Sequence, residues 1–133
     1  LFGILLIKYI EHYRKYMAKA LAKSGFVRNP HTIKNMAQNA QSILSLCNYS
    51  GEGWLLTAEM CGLIEDDVKN IICMQPFACL PNHITGKGMI KALKQKYGNL
   101  NIAAVDYDWG ASEVNQINRI KLMIESGRQK NIL

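Results

Sequence analysis

The residues of this chain that are best suited to carry out chemistry are a single cysteine and its neighbours, Cys79-Leu-Pro-Asn-His83. They follow an apolar run, Ile71-Ile-Cys-Met74, which is typical of a buried strand. In parallel α/β sheets, ligands bind outside the carboxyl ends of the strands. The N-terminus of a following helix also favours a thiolate over a thiol. Cys79 is therefore predicted to lie where a cysteine can act as a nucleophile or a metal ligand.

Three roles for Cys79 stay open on the residues alone. As a metal ligand it would offer a soft thiolate to iron–sulfur chemistry. As a nucleophile it would need a nearby base, for which His83 is the only local candidate. As a bystander it would be one more small buried hydrophobic residue. One cysteine cannot hold a cluster by itself, and the sequence contains no C-x-x-C pair.

The residues around Cys79 have structural interpretations as well. Pro76 and Pro81 are expected to stiffen the loop, and Asn82 to cap the following helix through its side chain. His83 is more typical of a surface or capping residue than of a catalytic base. The run Thr85-Gly-Lys-Gly88 has part of a phosphate-binding pattern but lacks the complete spacing, so it predicts a nucleotide site only weakly.

A second set of polar residues follows the next apolar run. Asp106-Tyr-Asp108 is predicted to end a strand at the same sheet edge as Cys79, with Asp108 or Ser112 capping the helix beyond. The three remaining cysteines lie in apolar stretches and are predicted to serve packing: Cys47, Cys61 and Cys73.

Length and composition indicate one globular domain. The chain has 133 residues, of which 49% are hydrophobic and 20% charged, so disorder is not expected. Residues 1–7 are apolar but too few to cross a bilayer, and no signal peptide is evident. Four irregularly spaced cysteines indicate a reducing compartment, so a cytoplasmic location is predicted. A helix already under way at Leu1 suggests a fragment of a larger protein.

The net charge of +6 is concentrated near the N-terminus. Residues 1–50 hold seven Lys and Arg against one acid, whereas residues 51–133 hold nine of each sign. We predict two parts, a basic helical segment at 1–50 and an α/β subdomain at 51–133 with its cysteine loop at 75–83. Tyr9, Tyr13 and Tyr16 recur at helical spacing, which favours an amphipathic helix with a solvated basic face over a nucleic-acid site.

Helices and strands are predicted to alternate along the α/β subdomain, and they position the residues described above. The pattern predicts strands at residues 70–75 and 101–106, and helices at about 1–23, 32–46, 54–69, 84–97 and 112–127. A right-handed crossover would make the two strands parallel neighbours. The predicted fold class is α/β, helix-rich, with a short parallel sheet and flanking helices, as in a flavodoxin-like or Rossmann-like partial domain. Two strands leave edges exposed, so further strands are expected from the parent protein or a partner chain.

Three segments of this chain resemble one known family. They are Gly51-Glu-Gly-Trp-Leu-Leu-Thr-Ala-Glu-Met60, Gln75-Pro-Phe-Ala-Cys-Leu-Pro-Asn-His83, and Asp106-Tyr-Asp-Trp-Gly-Ala-Ser-Glu-Val-Asn-Gln-Ile-Asn-Arg-Ile-Lys-Leu-Met123. Together they resemble the C-terminal part of the 2-hydroxyacyl-CoA dehydratase activators, also called CoA-substrate-specific enzyme activases, and the related dehydratase subunits. Two departures are Ala78, where glycine is expected, and Trp109, where proline is expected.

The resemblance implies a redox role. In that family an ATPase portion drives low-potential electrons through iron–sulfur clusters to a dehydratase or a related reductase. It implies that Cys79 is a [4Fe–4S] ligand, and that Gln75, Pro81, Asn82 and His83 shape its surroundings. This chain has neither ATPase phosphate-binding motifs nor a second clear ligand cysteine. ATP would therefore bind only through other domains, and the chain itself is expected to hold no catalytic residue.

The expected partners follow from the same resemblance. They are the remaining domains of the parent polypeptide and a dehydratase-like or reductase protein, as for an activator of the (R)-2-hydroxyglutaryl-CoA dehydratase type. A homodimer is compatible with the sequence, whereas a membrane or nucleic-acid partner is not expected. The alternative function is a non-catalytic scaffold or interaction domain that joins the ATPase to its partner.

Overall fold

The computed structural model describes residues 1–25 and 30–130, which form two compact units. The units are Leu1–Thr32 and Ile33–Leu133, whereas the boundary predicted from the charge pattern lies near residue 50. Residues 33–50 belong with the α/β part because the helix they form packs on the next helix. Arg28, one of the basic residues counted above, lies outside the described residues.

The first unit is built on helix α1, Phe2–Ser24, which ends close to the predicted residue. Gly25 terminates it in the left-handed conformation, with φ 71°, a geometry that glycine adopts without strain. Arg14 donates hydrogen bonds to the carbonyl oxygens of Pro30 (3.0 Å) and His31 (2.7 Å) within the same unit. No residue of α1 is buried, and its large apolar side chains are exposed as well as its lysines.

Two helices open the second unit, α2 at Ile33–Gln41 and α3 at Trp54–Glu65. Helix α2 stops before the predicted residue 46 because the N–H groups of Ile43 and Leu44 both bond to the carbonyl of Ala40, which forms a turn. Helix α3 stops before residue 69 because Asp67 adopts a positive φ of 62°. The predicted lengths of these two helices were therefore wrong, although their starts were close.

The sheet consists of β1, Asn70–Gln75, and β2, Asn101–Asp106, with the predicted bounds. The strands are parallel and in register from Asn70 opposite Asn101 to Gln75 opposite Asp106. One face of the sheet packs on the main core, whose buried members are Met60, Cys61, Ile71, Leu93, Leu100 and Ile102. The other face is covered by helix α5, Glu113–Gln129, which lies mainly on β2.

The crossover between the strands is less regular than predicted. A π turn at Asn82–Gly86 and a 3₁₀ turn at Lys87–Met89 precede helix α4, Ile90–Tyr97. The predicted helix at 84–97 is therefore α-helical only in its second half. The architecture agrees with an α/β fold of helices around a short parallel sheet. Among the helices that the structure describes, none has the length and apolar character needed to cross a membrane.

Candidate functional site

Cys79 lies in the loop that leaves the carboxyl end of β1, where the helical crossover begins. Its N–H bonds to the carbonyl of Pro76 (3.3 Å), and its own carbonyl accepts the N–H of His83 (3.0 Å), which closes the first helical turn. The side-chain amide of Asn82 donates to the Cys79 sulfur across 3.0 Å. The sulfur-bearing side chain is only partly exposed. Bonds of this kind orient a cysteine ligand and tune a cluster held by it.

Asn82 therefore has a different role from the predicted one. Helical conformation begins at Leu80, so Asn82 lies inside the first turn rather than at its cap, and it makes no side-chain capping bond. Asn82 is 7% exposed. Its amide bonds to sulfur, which places it beside Cys79.

The segment that carries the first family-like motif contacts the C-terminal end of this loop, at Pro81 and Thr85. The Thr85 hydroxyl lies 2.6 Å from the carbonyl oxygen of Gly53 and 2.8 Å from that of Pro81, so its proton is shared between them. The Thr57 hydroxyl donates to the carbonyl of Thr85. At Gly51 a Cβ atom would lie 3.1 Å from the Pro81 ring, which shows how closely the two segments approach.

The segment that carries the third family-like motif contacts the N-terminal part of the same loop, at Phe77. The Asp108 carboxylate accepts the backbone N–H of Phe77, and the Gln75 amide donates to Asp106 across 2.6 Å. The Gln75 bond, assisted by nearby positive charges, holds the pKa of Asp106 below its ordinary value. The sequence predicts that Asp108 or Ser112 caps the following helix. Ser112 occupies the N-cap position but makes no side-chain capping bond, and Asp108 fixes the cysteine loop instead. Sequence reasoning missed this role because Asp108 and Phe77 are far apart along the chain.

Gln75 is almost completely buried, at 1% exposure. Its amide nitrogen is bonded to Asp106, and within the described part of the chain its amide oxygen has no hydrogen-bond partner. Gln75 thus supports the end of β1 beneath the loop. The structure gives it no direct bond to Cys79, so its expected influence on that residue acts through the backbone.

Two further candidates have structural explanations. The His83 ring lies edge-to-face on Phe77, with the ring centroids 6.5 Å apart, and no hydrogen bond between His83's ring and Cys79 occurs in the described residues. The run from Thr85 to Gly88 is packed rather than open, because a Cβ at Gly86 would lie 3.3 Å from the Cys73 sulfur. In the part of the chain that the structure describes, His83 is therefore not placed as a base for Cys79, and the run from Thr85 to Gly88 does not form an open phosphate loop.

The remaining cysteines do not approach Cys79 as a ligand set. Cys61 is fully buried and Cys73 packs against Gly86, and burial raises the pKa of both thiols, as expected for packing residues. The prediction that Cys47 is also a packing residue was wrong, because its side chain is exposed. In residues 1–25 and 30–130, no three His, Cys, Asp or Glu side chains converge as a metal site. The described residues therefore do not assemble a metal site of three or more such ligands by themselves.

A cleft of about 760 Å³ opens beside the loop. It lies between Phe77 and the first turns of α5, with Asp108, Ser112 and Arg119 among its lining residues. The cleft is at the carboxyl end of β2, where the fold class predicts ligands. Both acidic and basic groups line it, so its charge alone does not specify an occupant.

No protein-family model, curated protein or solved structure matches this chain. The resemblance to the dehydratase activators thus stays a prediction from the three quoted motifs.

Ala78 provides a test of the loop conformation. It has φ 60°, which strains a residue with a Cβ, and glycine is what the family resemblance leads one to expect there. We expect Ala78→Gly to raise the free energy of unfolding by about 1 kcal/mol, because relief of strain exceeds the added freedom of the unfolded chain. Urea denaturation followed by circular dichroism measures the change.

The control for this experiment is Ala111→Gly. Ala111 also lies in a loop but does not have a positive φ, so glycine there is expected to lower the free energy of unfolding by about 0.5 kcal/mol. Equal losses for both variants would contradict the left-handed conformation of Ala78.

Proposed function

We propose that this chain is part of an ATP-dependent iron–sulfur electron-transfer system, of the kind that activates 2-hydroxyacyl-CoA dehydratases. In this proposal Cys79 supplies one thiolate to a [4Fe–4S] cluster, and other polypeptide segments supply the remaining ligands. The loop and the adjoining surface also form the docking site for those segments.

The main support is that the third family-like motif is bonded directly to the cysteine segment, and the first is linked to it through Thr85, two residues beyond the segment. Thr57 and Gly53 of the first motif bond to Thr85, which also binds the Pro81 carbonyl. Asp108 of the third motif bonds to Phe77, two residues before Cys79. Surface loops ordinarily vary and move. A loop held from both sides positions one side chain accurately, as a ligand site requires.

The chemistry of the Cys79 side chain supports the same role. Its sulfur accepts a hydrogen bond from the buried amide of Asn82 and is still partly exposed. Exposure leaves the sulfur able to bind iron held by another segment. Because this part of the chain offers one ligand, the cluster would lie at an interface, and electrons would leave or enter through the surface around Cys79.

The ATP-dependent step belongs, in this proposal, to domains outside this chain. The sequence lacks a complete phosphate-binding motif, and the run from Thr85 to Gly88 is packed against Cys73 and His83. The protein's own contribution is therefore the ligand, its hydrogen-bonded surroundings and the contact with its partners.

Anaerobic reconstitution tests the ligand role in the full-length polypeptide that carries this chain. Wild type, Cys79→Ala and Cys47→Ala are each incubated with ferrous iron and sulfide, and bound iron and visible absorbance are measured after desalting. We expect Cys79→Ala to lose the cluster, because a missing thiolate leaves one iron without its protein ligand. Cys47→Ala, at an exposed cysteine outside the loop, is expected to retain it.

Unchanged iron content and absorbance in Cys79→Ala would contradict the proposal. Asn82→Ala provides a finer readout in the same experiment. It is expected to keep the iron but to lower the reduction potential, because a hydrogen bond to sulfur stabilises the more negative, reduced cluster.

A second candidate function is a non-catalytic domain that joins the ATPase to its partner. Helix α1 favours it, because eleven large apolar residues of that helix are exposed: Phe2, Ile4, Leu5, Leu6, Ile7, Tyr9, Ile10, Tyr13, Tyr16, Met17 and Leu21. Binding of the purified partner domains that survives Cys79→Ala but is lost in Leu6→Glu, with no cluster formed by either protein, would favour this alternative.

A further inference from the structure

The two outer edges of the sheet differ in how their backbone groups are satisfied. On β2, three outward-pointing carbonyls accept side-chain donors from the helices nearby. Lys94 lies 3.5 Å from the carbonyl of Ile102, Arg119 lies 3.1 Å from that of Ala104, and Gln116 lies 3.1 Å from that of Asp106. Charged and polar side chains placed in this way block the addition of another strand.

The outer edge of β1 has no such cover. In the parallel pair, the N–H groups of Asn101 and Tyr107 bond to the carbonyls of Lys69 and Gln75, so β1 uses its odd-numbered residues to pair with β2. The backbone groups of Ile72 and Met74 consequently point away from β2. Nothing within residues 1–25 and 30–130 bonds to them.

The side chains of the same two residues are also uncovered. Ile72 is 41% exposed and Met74 is 59% exposed, because α5 lies mainly on β2. No residue between Asn70 and Gln75 is charged. Natural proteins usually protect an edge with lysine, proline or a bulge, and β1 has none of these before Pro76. An apolar, uncharged strand edge of this kind is a template for another strand.

We propose that β1 pairs with β1 of a second copy of this chain, antiparallel, around a twofold axis at Cys73. Ile72 then lies opposite Met74 of the other copy on each side of the axis, and each such pair exchanges both of its main-chain hydrogen bonds. The result is a four-stranded sheet in the order β2-β1-β1-β2. A twofold axis makes the contact self-complementary and closed.

A second copy fits this edge for three reasons. The strand is neutral, so identical copies place no like charges opposite one another. Ile72 and Met74 lie on the same face of the sheet, so the pairing joins apolar side chains from both copies into one patch. Pro76, which lacks an N–H group, stops the pairing from extending into the cysteine loop. The pairing does not depend on the proposed cluster.

Light scattering after size exclusion, over a range of protein concentrations, tests the proposal. We expect the mass to rise to twice the 15.0 kDa of one chain as concentration increases. Met74→Lys is expected to abolish the dimer, because it places a charge at the pairing edge. The matched control is Leu122→Lys, at an apolar residue of α5 that is 71% exposed, and it is expected to dimerise normally.

Amide hydrogen exchange identifies the surface directly in the wild-type protein. Slow exchange of the Ile72 and Met74 amides at dimer-forming concentrations, with fast exchange on dilution, is the expected result. A monomer at every concentration would overturn the proposal, as would a dimer in which these two amides exchange fast. Loss of the dimer in both lysine variants would also overturn it, because the effect would not then be specific to β1.

Discussion

Replacing Gly53 by alanine is expected to lower the free energy of unfolding by roughly 3 kcal/mol or more. Gly53 has φ 49° and ψ −130°, a conformation that other residues rarely adopt. A Cβ atom there would also lie 2.2 Å from the carbonyl oxygen of Asn48. That oxygen belongs to the backbone and accepts the N–H of Trp54, so it cannot move without loss.

Gly98→Ala is the matched control for this substitution. Gly98 has a similar backbone conformation, with φ 77° and ψ −119°, but nothing lies within 4 Å of the position that its Cβ would occupy. Alanine there is expected to cost about 1–2 kcal/mol from backbone strain alone. Urea denaturation of both variants gives the difference, which isolates the collision with Asn48. Equal losses would show that the close approach at Gly53 does not exist.

The Thr85 hydroxyl is expected to stabilise both the fold and the cysteine loop. Thr85 is 2% exposed, and Thr85→Val removes the donor shared by the Gly53 and Pro81 carbonyls while keeping the size of the side chain. The Gly53 carbonyl still accepts the N–H of Leu56 (3.3 Å), so loss of the one shared hydroxyl proton is expected to lower the free energy of unfolding by about 1.5 kcal/mol. Because Pro81 belongs to the cysteine loop, Cys79 should also react faster with an alkylating reagent, as measured by mass spectrometry of its peptide.

Thr85→Ser distinguishes the contribution of the Thr85 hydroxyl from that of its methyl group. Serine keeps the donor, so the labelling rate of Cys79 is expected to stay near that of wild type, and the stability loss is expected to be about 1 kcal/mol from the missing methyl. If valine and serine changed both quantities equally, packing of the methyl group rather than hydrogen bonding would hold the loop.

Both strands could be predicted from the sequence to the residue, whereas helix ends could not. The strands are short apolar runs between polar, turn-forming residues, and the parallel pairing follows from the crossover between them. The ends of α2 and α3 depend on the turn at Ala40 and on the positive φ of Asp67. Neither feature changes the apolar periodicity from which helices are predicted.

The candidate site also shows that contacts between residues far apart along the chain could not be predicted from local sequence patterns. Cys79 was placed correctly at the end of β1, because strand bounds and the following helix are local features of the sequence. Asn82 and Asp108 were both predicted as helix caps, their commonest local role. Instead they bond to the Cys79 sulfur and to the Phe77 backbone. Phe77 and Asp108 are brought together only by the alignment of β1 with β2, which no pattern around either residue indicates.

The side chains that hydrogen-bond to the outer carbonyls of β2 also limit how many molecules can add to the sheet. A sheet with two open sides can recruit molecules without end and grow into a fibre. Among the described residues, Lys94, Arg119 and Gln116 leave the outer edge of β1 as the accessible edge, so the proposed association along the sheet stops once that edge is paired. In the proposed dimer, the stoichiometry is thereby set by three side chains of α4 and α5 that bond to β2, the strand that does not pair.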